Sequence, residues 1–214
     1  MLNQKVADLR QDYRKASLSE SDVAGLPLQQ FEKWWQEAIS SELPEPNAMT
    51  LATSTPDGRP SARIVLLKSF DAEGFLFFTN YQSRKGLELA ANPQVSLLFF
   101  WQELERQVRI EGTVIKAPEP VSDAYYLSRP AGSRIGAIAS PQSQVIPDRE
   151  YLEHKVKQVE QKYGGVTPER PSYWGGYLVK PDMVEFWQGR SSRLHDRIRY
   201  SWQQDNWKIE RLAP

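Results

Sequence analysis

Cysteine is missing from all 214 residues. Its absence removes disulfides, thiolate metal sites and cysteine nucleophiles together, and it fits a reducing compartment. A cytoplasmic location is therefore expected. Histidine is scarce: His154 and His195 are the two present. Neither stands in a nucleophile-elbow or zinc-ligand pattern, so neither a hydrolase triad nor a metal site is expected. Neither sign of charge prevails, since Lys+Arg and Asp+Glu both number 27. A general binder of nucleic acid or acidic membrane needs a basic excess, so neither partner is expected, although a local basic pocket is still allowed. The longest apolar run, Ser96-Leu-Leu-Phe-Phe-Trp101, is far too short to span a bilayer. Residues 1–17 are charged throughout and are not expected to be a secretory signal. There is no Gly-rich dinucleotide or P-loop fingerprint, no internal repeat and no low-complexity tract. If the protein is an enzyme, its chemistry is then expected to be borrowed from a bound cofactor.

Aromatic residues are plentiful: seven Trp, nine Tyr and eight Phe. They suit strands and flat ligands alike. The spacing predicts a weakly amphipathic helix over 3–15, with Val6, Leu9 and Tyr13 on one side, and a linker over 17–27. Leu28, Phe31, Trp34, Trp35, Ala38 and Ile39 predict a docked helix over 28–42. The period then changes to that of strands over 48–54, 63–70 and 75–79, with Asp57-Gly58 as a hairpin signal. Ser83 caps a helix over 84–91. Strands follow over 95–101 and 106–115, then helical segments over 118–127 and 131–139, parted by Pro130. A charged helix over 149–163 carries a solvated His154. Strands over 176–179, 183–187, 193–202 and 207–212 close the chain. Eight or nine strands in meander order, without βαβα alternation, predict a mainly β fold with α elements. That is an antiparallel barrel, closed or partly closed, decorated with helices. Its extent is one domain over 19–214, after an N-terminal segment over 1–18.

Four stretches gather cations or hydrogen-bond donors. Trp187-Gln-Gly-Arg-Ser-Ser-Arg-Leu-His-Asp-Arg197 ends in Arg193, His195 and Arg197, which share a face if the stretch is a strand. Nothing nearby in sequence neutralises that face. It is either an exposed polar edge or a site for an anionic or electron-rich ligand beside Trp187. In Arg63-Ile-Val-Leu-Leu-Lys68 a regular strand points the two cations to opposite faces, unless a bulge realigns them. Arg84 and Lys85 open a helix, where free N–H groups and the dipole favour an anion by roughly 0.3–1 kcal/mol; an ordinary solvated turn is the alternative. Tyr125, Arg129 and Ser133 fall at intervals of four around Pro130. They form a donor set suited to a phosphate, or else a Pro-broken helix with a surface Arg.

Several motifs together resemble the pyridoxamine (pyridoxine) 5′-phosphate oxidase family from about Arg10 to Pro214. They are Arg63-Ile-Val-Leu-Leu-Lys68, Phe78-Thr-Asn80, Ser83-Arg-Lys85, Leu104-Glu-Arg-Gln-Val108, Ser128-Arg-Pro130, Gln142-Ser143, Trp174-Gly-Gly176, Glu185-Phe-Trp-Gln-Gly189, Arg193-Leu-His-Asp-Arg197 and Arg211-Leu-Ala-Pro214. The resemblance implies an FMN-binding split β-barrel and a homodimer with FMN sites between subunits. The implied reaction oxidises pyridoxamine 5′-phosphate and pyridoxine 5′-phosphate with dioxygen, giving pyridoxal 5′-phosphate, hydrogen peroxide and, from the amine, ammonia. Carried over by position, FMN would be held by Arg63, Ile64, Val65, Leu66, Leu67, Lys68, Phe78, Thr79, Arg84, Lys85, Gln107, Gln142, Ser143, Trp187 and Arg197. The substrate phosphate would meet Lys68, Tyr125, Arg129 and Ser133. Arg193, Leu194 and His195 would lie against the substrate, with Arg193 and His195 catalytic. Arg10 and Tyr13 match a segment that can fold over the substrate as a lid. One departure is visible: the family often has Tyr where this chain has Phe78. Two other readings stay open, a flavin reductase-like split-barrel protein and a non-catalytic carrier of FMN or pyridoxal phosphate.

Overall fold

Pro27 opens a long helix at a position where its missing N–H costs nothing. The computed structural model describes Leu9 and residues 11–214. Among these residues the elements are α1 (Pro27–Ser40), β1 (Ala48–Ser54), β2 (Pro60–Leu66), β3 (Ser69–Asp71), β4 (Gly74–Asn80), α2 (Arg84–Ala91), β5 (Gln94–Trp101), β6 (Arg106–Lys116), α3 (Glu119–Ser128), α4 (Ala131–Ala139), α5 (Arg149–Tyr163), β7 (Trp174–Gln188), β8 (Asp196–Gln203) and β9 (Asn206–Arg211). The strands follow the order β2-β1-β5-β6-β7-β4-β3; β8 pairs with β7, and β9 with β8. No helix among the described residues is long and apolar enough to cross a membrane.

Chain contacts divide the molecule into two compact units. One unit takes the chain up to Thr50, Leu97–Glu111 and Asp182–Pro214. Here α1 buries Phe31, Trp34 and Ala38. The Phe31 ring lies 5.3 Å from Phe99, and Trp34 meets Phe186 edge-on at 5.2 Å. Burial of each such side chain stabilises the fold by roughly 1.5–3 kcal/mol. The expected helical face is narrower than its sequence, since Ile39 is exposed. On β8, Ile198 and Tyr200 are buried, and the Tyr200 hydroxyl donates to the Ala24 carbonyl at 2.6 Å. The predicted linker over 17–27 is thus anchored. The predicted helix over 3–15 falls mostly outside the described residues, and residues 11–15 are not helical. The backbone N–H of Lys15 goes instead to the Glu105 carboxylate at 2.9 Å; a short, weakly amphipathic stretch has little to hold it helical.

The other unit takes Leu51–Ser96 and Gly112–Pro181. Its β4 pairs antiparallel with the first part of β7, from Phe75 opposite Val179 to Asn80 opposite Trp174. Phe75, Phe77 and Tyr177 are buried there. Helix α2 starts at the predicted cap: the Ser83 hydroxyl accepts from the Gly86 N–H at 3.3 Å. Helices α4 and α5 occupy their predicted spans, and His154 is exposed on α5.

Four expected strands are corrected. The strand over 63–70 is two strands, because Leu67 turns into the core with 4% of its surface exposed. The strands over 176–179 and 183–187 are one, β7, which runs through Pro181; a strand passes a proline wherever the ladder needs no donor at that residue. The strand over 193–202 starts only at Asp196, after a 3-10 turn at Ser191–Arg193.

Candidate functional site

The break after β2 decides what Arg63 and Lys68 can share. Lys68 leaves the regular alternation, and its N–H donates to the Leu76 carbonyl at 2.8 Å. Both cations consequently line one cavity of about 590 Å³ in the second unit. Ile64, Val65, Leu66, Phe78, Thr79, Lys85, Tyr125, Arg129, Ser133 and Gln142 line it as well. Of the sixteen site residues expected between β2 and the loop after α4, twelve meet here: those ten with Arg63 and Lys68. Leu67 is in the core, Arg84 turns to Glu88, and Ser143 is exposed at a left-handed φ of 71°.

Among the described residues no carboxylate lines this cavity. Arg63 is balanced from behind by Glu88, at 3.2 Å, and also donates to the Leu51 carbonyl at 3.2 Å. Burial alone would raise the Glu88 pKa. Hydrogen bonds from Ser61, Thr53, Arg84 and Arg63 outweigh that and bring it down to about 2. Lys85 has only neutral partners, Thr79 Oγ1 and Gln142 Oε1, both at 3.3 Å. Burial, then the charge of Arg63, lowers its pKa against the pull of Glu88. Arg129 lies over the Trp174 ring at 4.6 Å, and burial lowers its pKa too. Its Nη1 is buried with no hydrogen-bond partner. A buried donor left unmade costs about 1–3 kcal/mol, more on a charged group, so a site built this way suits an anion. Phe78 stacks on Tyr125 at 4.0 Å and on Trp174 at 5.6 Å. At this position the ring works through its aromatic face. Asn80, Pro130 and Trp174 also line the cavity without having been assigned a role from sequence. The Trp-Gly-Gly motif was the available signal for Trp174: a Cβ on Gly176 would come within 3.0 Å of the Phe78 ring, so glycine there lets the aromatic stack close.

The remaining expected residues belong to the first unit. Arg193, Leu194 and His195 precede β8, and both Ser192 and Arg193 have positive φ, 57° and 62°. The single face expected for Arg193, His195 and Arg197 therefore does not exist; the turn separates the first two from the strand. His195 Nδ1 accepts from the Arg190 N–H at 3.1 Å. Its ring lies 4.6 Å from Trp187 and 6.1 Å from Tyr13, and Tyr13 meets Trp187 edge-on at 5.9 Å. Gly189 permits this approach, since a Cβ there would sit 2.7 Å from the Tyr13 ring. Burial first, then Arg193, lowers the His195 pKa, with Asp196 opposing. Arg197 is neutralised, contrary to expectation. Its Nε and Nη2 meet the two oxygens of buried Glu185 at 2.9 and 3.0 Å, and its Nη1 donates to the Ala213 carbonyl. Glu185 lies twelve residues back, across the β7–β8 ladder, out of reach of local sequence reasoning. Gln107 is half-buried on β6. Arg10 lies outside the described residues.

A phosphate dianion and a flat ring would satisfy this chemistry: unbalanced cations and an orphaned guanidinium N–H in one unit, with stacked aromatic rings beside them. FMN carries both groups, and the donor set fits it.

Comparison with known proteins places these observations. The family profile "Pyridoxamine 5'-phosphate oxidase" matches residues 35–163, more than half of the chain. The profile "Pyridoxine 5'-phosphate oxidase C-terminal dimerisation region" matches residues 174–214. A pyridoxine/pyridoxamine 5'-phosphate oxidase of Trichormus variabilis is 56% identical over 214 residues, covering 100% of both chains. One of Cupriavidus pinatubonensis is 59% identical over 211 residues, covering 98% of this chain and 99% of its own. Among solved structures, PhzG from Burkholderia lata 383 in complex with tetrahydrophenazine-1-carboxylic acid has a TM-score of 0.87 at 34% identity, covering 92% of this chain and 98% of its own. A pyridoxamine 5'-phosphate oxidase-related, FMN binding protein from Nostoc punctiforme has a TM-score of 0.70 at 19% identity, covering 90% and 100%, and shares the fold. The fold class is the expected one, an antiparallel split barrel decorated with helices.

Proposed function

The chain belongs to the pyridoxamine 5′-phosphate oxidase family, and from that premise we propose that it oxidises pyridoxine 5′-phosphate and pyridoxamine 5′-phosphate with FMN as cofactor. The alcohol and dioxygen give pyridoxal 5′-phosphate and hydrogen peroxide. The amine, dioxygen and water give the same aldehyde with hydrogen peroxide and ammonia. Bound FMN supplies the two-electron oxidation and the reaction with dioxygen.

The observation that carries this reading is Arg129, whose buried Nη1 has no partner in a cavity that also holds Lys68 and Lys85 and no carboxylate. Lys68, Tyr125, Arg129 and Ser133 hold the substrate phosphate in this proposal. Arg63, Lys85, Thr79 and Gln142 serve FMN, with the backbone of Ile64, Val65 and Leu66. His195 hydrogen-bonds a substituent of the pyridine ring, Arg193 places positive charge against that ring, and Trp187 gives His195 an apolar wall. Arg197 enters paired with Glu185, so it orients rather than adds net charge. The homodimer places FMN sites between subunits, in keeping with the dimerisation region at 174–214.

Likeness to PhzG favours a second reading, oxidation of a reduced phenazine carboxylate. The phosphate-suited donor set and the higher identity to the oxidases, 56% and 59%, favour the first. The deciding experiment is the visible spectrum of the purified protein during anaerobic titration. Pyridoxine 5′-phosphate should bleach the flavin band, and air should restore it. The Arg129→Ala protein should need at least about tenfold more substrate, since a hydrogen bond to a charged group is worth roughly 1.5–3 kcal/mol. Bleaching by tetrahydrophenazine-1-carboxylic acid alone would move the activity to the second reading. Bleaching by NADH alone would make the protein a reductase, and a band that no donor bleaches would make it a carrier.

A further inference from the structure

Asp196 follows His195 and opens β8, with 17% of its side chain exposed. Its carboxylate collects donors from three separated stretches. The Leu18 N–H reaches Oδ2 at 3.0 Å, Arg190 Nη1 reaches Oδ2 at 3.1 Å, and Arg211 Nη1 reaches Oδ1 at 2.9 Å. Arg211 also grips both oxygens of Glu20 at 2.8 Å, and the Leu18 carbonyl at 3.0 Å. Two guanidiniums and two carboxylates thus balance, and they join residues 18–20 to the turn before β8.

Arg190 links this cluster to the imidazole. Its guanidinium is on Asp196, while its backbone N–H points at Nδ1 of His195, 3.1 Å away. A donor aimed at Nδ1 requires a lone pair there, so the proton of the neutral ring sits on Nε2. The turn between them needs support, because Ser192 and Arg193 both occupy the left-handed region, which disfavours a residue with a Cβ. We propose that Asp196 is a positioning residue that, through Arg190, holds His195 in its Nε2–H tautomer, and that Arg211 and Glu20 make this state depend on the docked 18–20 segment. Burial, then the neighbouring Arg193, lowers the pKa of the ring, and Asp196 opposes them. With Nδ1 occupied, His195 offers a ligand a hydrogen-bond donor and no free base. The group it recognises is then an acceptor, an oxygen with lone pairs or negative charge on the substrate ring. This last step rests on the proposed function; the tautomer and its dependence on Asp196 do not.

The test is a long-range proton–nitrogen spectrum of the FMN-loaded protein labelled with ¹⁵N-histidine. The chain has two histidines, and His154→Gln identifies the exposed one. Wild type should show His195 as a single Nε2–H tautomer. Asp196→Ala should lose that single pattern and give an exchanging mixture, while the FMN absorbance shows the site still loaded. Arg190→Ala, which removes the other end of the ion pair on a partly exposed side chain, should give the same loss and covers the case in which Asp196→Ala fails to fold. Asp196→Asn should hold the tautomer better than Asp196→Ala, because its side-chain oxygen still accepts. A proton on Nδ1 in wild type, or an unchanged Nε2–H pattern in Arg190→Ala, would overturn the proposal. Neither result depends on whether the protein oxidises a vitamin phosphate.

Discussion

Glu88 shows how a single carboxylate sets the charge of a site from behind it. It is buried on α2 and balances Arg63 and Arg84, so the unbalanced charge falls on Lys68, Lys85 and Arg129. Sequence offers no sign of this, since Arg63 and Glu88 are far apart and meet only when β2 and α2 pack. Four donors hold the Glu88 pKa at about 2, below the ordinary 4.5, despite burial. On unfolding, the free carboxyl therefore binds its proton more readily than the folded one, and stability falls as pH falls. The contribution is complete above about 4.5 and is lost as pH drops toward about 2. Urea unfolding of wild type and Glu88→Gln should give midpoints that differ by a constant amount above pH 4.5 and converge below it. Parallel pH profiles would show that the folded carboxyl titrates normally.

At the scale of elements, local signals read well and couplings between elements did not. The cap at Ser83, Pro130 between α3 and α4, and the charged run of α5 each act within a turn or two of chain, and each element lies where its sequence predicts. The errors share one cause: a strand's limits are set by its neighbours. Arg63 to Lys68 has strand periodicity, yet Leu67 leaves it for the core, so two cations that alternation sends apart line the same cavity. Arg193 to Arg197 also reads as strand, yet a left-handed turn takes Arg193 and His195 out of it. The cavity lining was still largely legible, because the resemblance fixed residues and needed no strand boundaries. Trp174 and Glu185 stood inside quoted motifs, but nothing local showed that one lies under Arg129 and the other faces Arg197. Where the sequence reads cleanly, its energetic weight is predictable. The buried Ser83 hydroxyl accepts from Gly86 N–H and donates to the Asn80 carbonyl at 2.6 Å. Ser83→Ala should lower the unfolding free energy by about 0.5–2 kcal/mol in urea, and a loss near zero would mean that the cap adds nothing to α2.

For the whole molecule, the balance of 27 basic and 27 acidic residues has to be reconciled with a cavity lined by four cations, of which Arg63 alone is balanced by a carboxylate, Glu88, among the described residues. The reconciliation is spatial. Acidic residues balance the basic ones elsewhere, as Glu185 does for Arg197 and Arg109, Glu20 and Asp196 for Arg211, and Glu210 for Arg199. At a distance the opposing charges largely cancel, and long-range attraction of a polyanion needs a net field. Within the cavity the partly buried cations act at short range, where salt screens less than it does on the surface. Two measurements should therefore separate. If the FMN phosphate sits on these cations as proposed, affinity of the apoprotein for FMN, followed by quenching of flavin fluorescence, should fall modestly as ionic strength rises, because the charge it meets is only partly exposed. Retention on a heparin column should be absent at physiological salt. An FMN affinity indifferent to salt would argue that the phosphate does not meet these cations, and firm retention on heparin would mean that the basicity reaches the surface as a patch.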